Sequence, residues 1–134
     1  MGRRNRNKFI NNQNQDNPPA IVASFDEYFG AGDLEDWQRL CSDIFREHEL
    51  EYLNLSSKTK CRNALKTVFV NIQDLVDAIE KNLAGGSRKV YPQRFPNLKQ
   101  LVKYTVKENK IYPKKWVKSG LGPVKALMRD ILRG

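Results

Sequence analysis

"DLEDWQRLCSDIFREHE", residues 33–49, decides the fold class. Leu34, Trp37, Cys41, Ile44, Phe45 and His48 recur at steps of three and four, so an α-helix gathers them on one face. Asp33 stands at the N-cap position, where a carboxylate can accept a free backbone N–H. Glu35 and Asp36 place negative charge against the positive end of the helix dipole.

The same grammar continues on both sides. Upstream, Ser24 and Glu27 of "SFDEYF" have capping-box spacing, and "GAG" at 30–32 closes that short helix. Downstream, Ser57 caps a segment in which Cys61, Ala64, Leu65, Val68, Ile72, Leu75, Val76 and Ile79 keep helical phase. Within it "TVFV" (67–70) favours extended backbone, and Asn71 with Asp74 resembles a second cap, so two consecutive helices are preferred to one kinked helix. Residues 83–94 form a connector with glycine, serine and proline and no apolar period.

Asn97 caps the next helix with Gln100 as its reciprocal partner, turning Leu98, Leu101, Val102 and Thr105 inward. Pro113 suits the first turn of a short helix through Lys118. After "SGLGP", Pro123 opens a last helix with Val124, Leu127, Met128, Ile131 and Leu132 as its apolar stripe. The expected fold is all-α: a compact bundle of five or six short helices forming a single domain over 20–134, behind a disordered arm over 1–19. Helical phase predicts that Trp37, Leu40, Ile44, Phe45, Leu65, Leu75, Val102, Leu127 and Ile131 are buried together. "FVNIQDLVD" (69–77) and "FPNLKQLVK" (95–103) share capping logic without amounting to a repeat.

A formal charge of +9 on 134 residues is unevenly distributed. Residues 20–56 hold two basic and nine acidic side chains, whereas 83–134 hold thirteen basic and two acidic ones. The second half therefore calls for an acidic partner, or for the first half to neutralise part of it. Arg3, Arg4, Arg6 and Lys8 of the arm are readable as a nuclear address, a nucleic-acid arm or a solubilising tail. Cys41 and Cys61 fall at apolar helical positions, as buried thiols do; a single pair could still bridge, but the absence of a secretory segment favours a reducing compartment. No apolar run is long enough to span a membrane, and the expected location is intracellular, nuclear or cytoplasmic.

Catalytic chemistry has little to build on. The lone histidine, His48, lies in phase with a helix face, no Cys/His cluster has zinc-ligand spacing, and no phosphate-cradling glycine loop or nucleophile elbow is present. The expectation is a non-enzyme needing no cofactor or metal, with no evident small-molecule substrate. Better evidence lies in "KYTVKENKIYPKKWVK" (103–118), with six lysines in sixteen positions. Lys99, Lys103 and Lys107 share one helix face, as do Lys125, Arg129 and Arg133, and each set would spread three charges over about 12 Å.

Lys110, Lys114, Lys115 and Lys118 extend that field, and Tyr112 and Trp116 could stack on bases if exposed, although Trp116 is better suited to the core. Lysine is a point charge that does not read base edges, so these residues point to phosphate contacts with little sequence specificity. Two other readings stand beside this one: the wet side of ordinary amphipathic helices, and an interaction or scaffold domain whose acidic and basic faces meet protein partners.

"WQRLCSDIF" (37–45), "CRNALKTVFVNIQDLVDA" (61–78) and "IYPKKWVKSGLGPVKALMRDI" (111–131) together resemble a group of short, uncharacterised proteins from filamentous fungi. The likeness spans about residues 25–133. It implies a self-standing small domain and assigns a role to no residue.

Overall fold

In the computed structural model, residues 17–117 and 122–128 are described. Arg3, Arg4, Arg6, Lys8, Lys118, Arg129, Ile131, Leu132 and Arg133 lie outside them. The architecture is all-α, with seven α-helices and one 3-10 turn among the described residues.

Helix α1, Ala20–Phe29, begins behind Pro19, whose carbonyl accepts the N–H groups of Val22 and Ala23 at 3.0 and 3.1 Å. Ser24 is thus interior to the helix, and the expected capping box there does not form. The reason is Val22: it is buried with Phe25 and Phe29, and that stripe needs the helix to start four residues before Ser24. Gly30 and Gly32, at φ +86° and +89°, supply the left-handed turns that lead out of α1.

Helix α2, Leu34–Ile44, follows Asp33 as expected. Asp36 reaches back from the first turn, and its Oδ2 accepts the N–H groups of Gly32 and Asp33, both at 2.9 Å. The predicted continuous helix to residue 49 breaks at Phe45, which is extended at φ −87°, ψ 142°. A separate four-residue helix, α3 (Glu47–Leu50), restarts where Glu49 Oε1 accepts the Arg46 N–H at 2.8 Å. Phe45 still enters the core, but His48 is exposed and leaves the face it was assigned to.

The predicted two helices after Ser57 are α4 (Lys58–Leu65) and α5 (Ile72–Leu83). Ser57 Oγ accepts the Lys60 N–H at 3.2 Å, and Asn71 Oδ1 accepts the Asp74 N–H at 3.1 Å. Between them the β-branched run is extended: Val70 forms an isolated antiparallel bridge with Arg94, and Phe95 N–H donates to Phe69 O at 2.9 Å. That bridge pins the end of the 83–94 connector.

Helix α6 (Leu98–Lys107) starts at Asn97, whose Oδ1 accepts the Gln100 N–H at 2.9 Å. After Pro113 the chain makes only a 3-10 turn, Lys114–Trp116, in place of the helix expected through Lys118. Helix α7 (Pro123–Met128) opens at its proline, whose missing N–H costs nothing in a first turn.

Helix α2 packs against α1, α4 and α5; α1 also packs on α5, and α4 on α7. Trp37, Leu40, Ile44, Phe45, Leu65, Leu75 and Leu127 share one apolar cluster. Val102 is only half-buried, because the inner side of α6 is taken by Leu101 and Thr105. Cys41 and Cys61 are buried free thiols; Cys41 Sγ donates to Cys61 O at 3.8 Å and Cys61 Sγ to Leu55 O at 3.6 Å. Among the described residues no helix is long and apolar enough to cross a membrane.

Candidate nucleic-acid interface

Two polar ties set where α6 presents its lysines. Asn71, buried at 1% exposure, donates through Nδ2 to Thr105 Oγ1 at 3.1 Å and to Lys110 O at 3.0 Å. The same side chain caps α5, so a single amide joins the start of α5 to α6 and the segment just after it. Beside it, Asp74 accepts the Tyr104 hydroxyl at 2.7 Å and pairs with Lys110 Nζ at 2.8 Å. Lys110 Nζ also lies 2.9 Å from the Tyr104 hydroxyl, and Phe95 packs on the Tyr104 ring at 4.7 Å between centroids. With Leu101 and Thr105 turned inward, residues at four-step spacing on the opposite side must face water.

Lys99, Lys103 and Lys107 occupy that outer side, and all three are exposed. None has an ion-pair partner among the described residues. The arrangement works against the helix itself. Like charges four residues apart cost about 0.2–0.5 kcal/mol per pair, and there are two such pairs. The first turn of α6 holds no acid, so Lys99 adds to the positive end of the helix dipole. The helix is held instead by its Asn97 cap, Leu101 and the Asn71 and Asp74 ties. Val106, exposed beside Lys103 and Lys107, gives this face an apolar spot as well.

The remaining basic positions divide. Lys114 and Lys115 on the 3-10 turn and Lys125 on α7 are exposed, and Lys115 Nζ stands 5.7 Å from the centre of the Trp116 ring. Lys110 belongs to a different class: its hydrogen bond to Asp74, then that to Tyr104, pushes its ammonium above the usual lysine range, and its charge is engaged within the fold. Tyr112 is buried at 3% exposure, which removes it as a stacking platform; burial pushes its phenol up to about 12. Trp116 packs half-buried against the core, as its size suggested. Lys118, Arg129 and Arg133, the other three candidates, lie outside the described residues.

Part of the charge dipole is internal. Lys89 pairs with Asp43 at 3.0 Å and Arg94 with Glu49 at 2.7 Å, so the basic half does lean on the acidic one. These pairs use the connector and leave the α6 lysines out. The Asp74–Tyr104–Lys110 cluster was not legible in the sequence, since Tyr104 and Lys110 stand 30 and 36 residues from Asp74. Among the described residues no group of three or more His, Cys, Asp or Glu side chains is placed to hold a metal ion. No family model, no curated protein and no solved structure matches this chain.

Proposed function

We propose that this protein is a non-enzymatic helical module that binds nucleic acid through phosphate contacts, with little sequence specificity. The observation that carries this reading is the row of exposed, unpaired lysines at 99, 103 and 107 on a helix anchored from its other side. Lys114, Lys115 and Lys125 are the exposed cations that would enlarge the contact. A row of three charges over about 12 Å of rigid helix can follow a phosphate backbone, and each phosphate neutralised releases condensed counterions. An evenly mixed surface would suit solubility alone; this face keeps like charges together at a local cost to helix stability.

The direct test is retention of labelled duplex and single-stranded oligonucleotides of several sequences across a salt series. Three phosphate contacts predict log Kd rising with log salt at a slope of about 2 to 3, with little change between sequences. An acidic protein surface would suit the same lysines. If polyglutamate competes on equal terms with the oligonucleotides, the acidic-protein reading replaces this one; absence of oligonucleotide binding at low salt would also end it.

A further inference from the structure

A second surface lies on the acidic half. Helices α1, α2 and α5 flank an open groove of about 610 Å³ whose apolar lining comes from Leu83 of α5, the Tyr28 ring of α1 and the outer edges of Val76 and Ile79, which are otherwise buried in the core. Leu83 is 82% exposed at the end of α5, an apolar side chain that the fold leaves uncovered. Glu27 on α1 and Glu80 on α5 stand along the groove, both exposed and both without an ion-pair partner among the described residues.

The other charges at this site are already engaged. Arg39 donates through Nη2 to Tyr28 O at 2.7 Å and to Phe29 O at 2.9 Å, and through Nη1 to Asp36 at 3.1 Å. Asp43 accepts the Tyr28 hydroxyl and pairs with Lys89 at 3.0 Å. Burial, followed by that hydrogen bond, pushes the Tyr28 phenol well above its ordinary range, so it stays a neutral donor. What the groove offers an incoming molecule is therefore an apolar floor and two free carboxylates.

We infer that this groove is a docking site for a short amphipathic, basic protein segment. Its apolar side chains would lie on Leu83 and on the edges of Val76 and Ile79 that the groove leaves open, and its Lys or Arg side chains would meet Glu27 and Glu80. The chosen occupant follows from charge. A phosphate backbone or an anionic lipid surface meets two unpaired carboxylates here and is repelled, whereas a basic segment is attracted and placed in register. Shape agrees with it: Val76, Ile79, Glu80 and Leu83 span two turns of α5, about 10 Å, the reach of an apolar stripe on a short helix laid in a groove. The site is separate from the lysine face of α6, which carries the opposite charge.

The test uses a fluorescent synthetic peptide of about four helical turns, composed of leucine at helical spacing and lysine, with a leucine–glutamate peptide of the same pattern as control. Fluorescence anisotropy on the full chain should show saturable binding of the lysine peptide only. Glu27→Lys combined with Glu80→Lys should weaken it about tenfold or more, the effect of losing ~1.4 kcal/mol of attraction, and Leu83→Ser should weaken it as well. All three positions are exposed on α1 or α5, so far-UV circular dichroism should be unchanged. Lys103→Glu should not reduce peptide binding, which separates this site from the proposed nucleic-acid face. No binding, equal binding of the acidic peptide, or indifference to the double reversal overturns the inference. A dimer in sedimentation that Leu83→Ser dissolves also overturns it, because a second copy would then cover the groove.

Discussion

Replacing Lys103 with glutamate should make the protein more stable and a poorer nucleic-acid binder at once. Lys103 is exposed at the middle of α6, four residues from Lys99 and four from Lys107, with no acid paired to it among the described residues. Its replacement removes two repulsive i,i+4 pairs and creates two attractive ones, each change being worth about 0.2–0.5 kcal/mol. The new carboxylate would lie N-terminal to Lys107, which is the favoured orientation, and C-terminal to Lys99, which is the poorer one. The four changes give a net gain of about 0.8–2 kcal/mol, nearer the lower figure because one new pair has the poorer orientation. For a domain of this size that is an increase in Tm of roughly 3–10 °C. Urea and thermal unfolding followed at 222 nm measure the gain, and oligonucleotide retention on the same sample measures the loss. A clear drop in stability would mean that Lys103 makes net attractive contacts in the folded chain, and unchanged binding would remove it from the interface.

Asn71→Ala should cost about 3 kcal/mol, from a lost cap worth ~1 kcal/mol and two lost hydrogen bonds near ~1 kcal/mol each. Thr105→Val should cost about 1 kcal/mol, and the double variant less than the sum of both, because Thr105 is one of the two acceptors of Asn71. Chemical denaturation of the four proteins checks the cycle. The hydrogen bonds from the Asp33 and Gly32 backbones hold the Asp36 carboxyl below its usual range. A depressed acid contributes stability above its unfolded pKa, about 4, and loses it as the pH falls through the lower folded value. Asp36→Asn should therefore flatten the acid limb of the stability profile. Burial raises both thiols, so Cys41 and Cys61 should resist Ellman's reagent in buffer and react in urea.

Much of the fold was written locally. Ser57, Asn71, Asn97 and Pro123 mark helix starts because capping chemistry involves only three or four residues. The start of α1 misled for the same local reason. Ser24 and Glu27 have the spacing of a capping box, but burial of Val22 is a tertiary gain that a capping rule does not weigh. The break at Phe45 was hidden because Phe45 stays buried either way, so the apolar pattern is nearly the same for one helix or two. Within the candidate site, exposure of Lys99, Lys103 and Lys107 follows from helical phase. The diversion of Lys110 to Asp74 and the burial of Tyr112 depend on contacts between distant segments, and no period in the sequence encodes them. The groove on α1 and α5 was equally invisible, since it exists only once those helices pair.

The measurement closest to the central claim is oligonucleotide retention across a salt series for the parent and for a variant carrying Lys99→Glu, Lys103→Glu and Lys107→Glu. All three side chains are solvated and α6 is anchored from its opposite side, so helicity and cooperative unfolding should persist. The account predicts near-complete loss of binding by the variant at low salt. The parent should have a steep log–log salt dependence, reduced by roughly one unit for each contacting lysine removed singly. Equal retention of both proteins, or a parent that binds nothing at low salt, would contradict it.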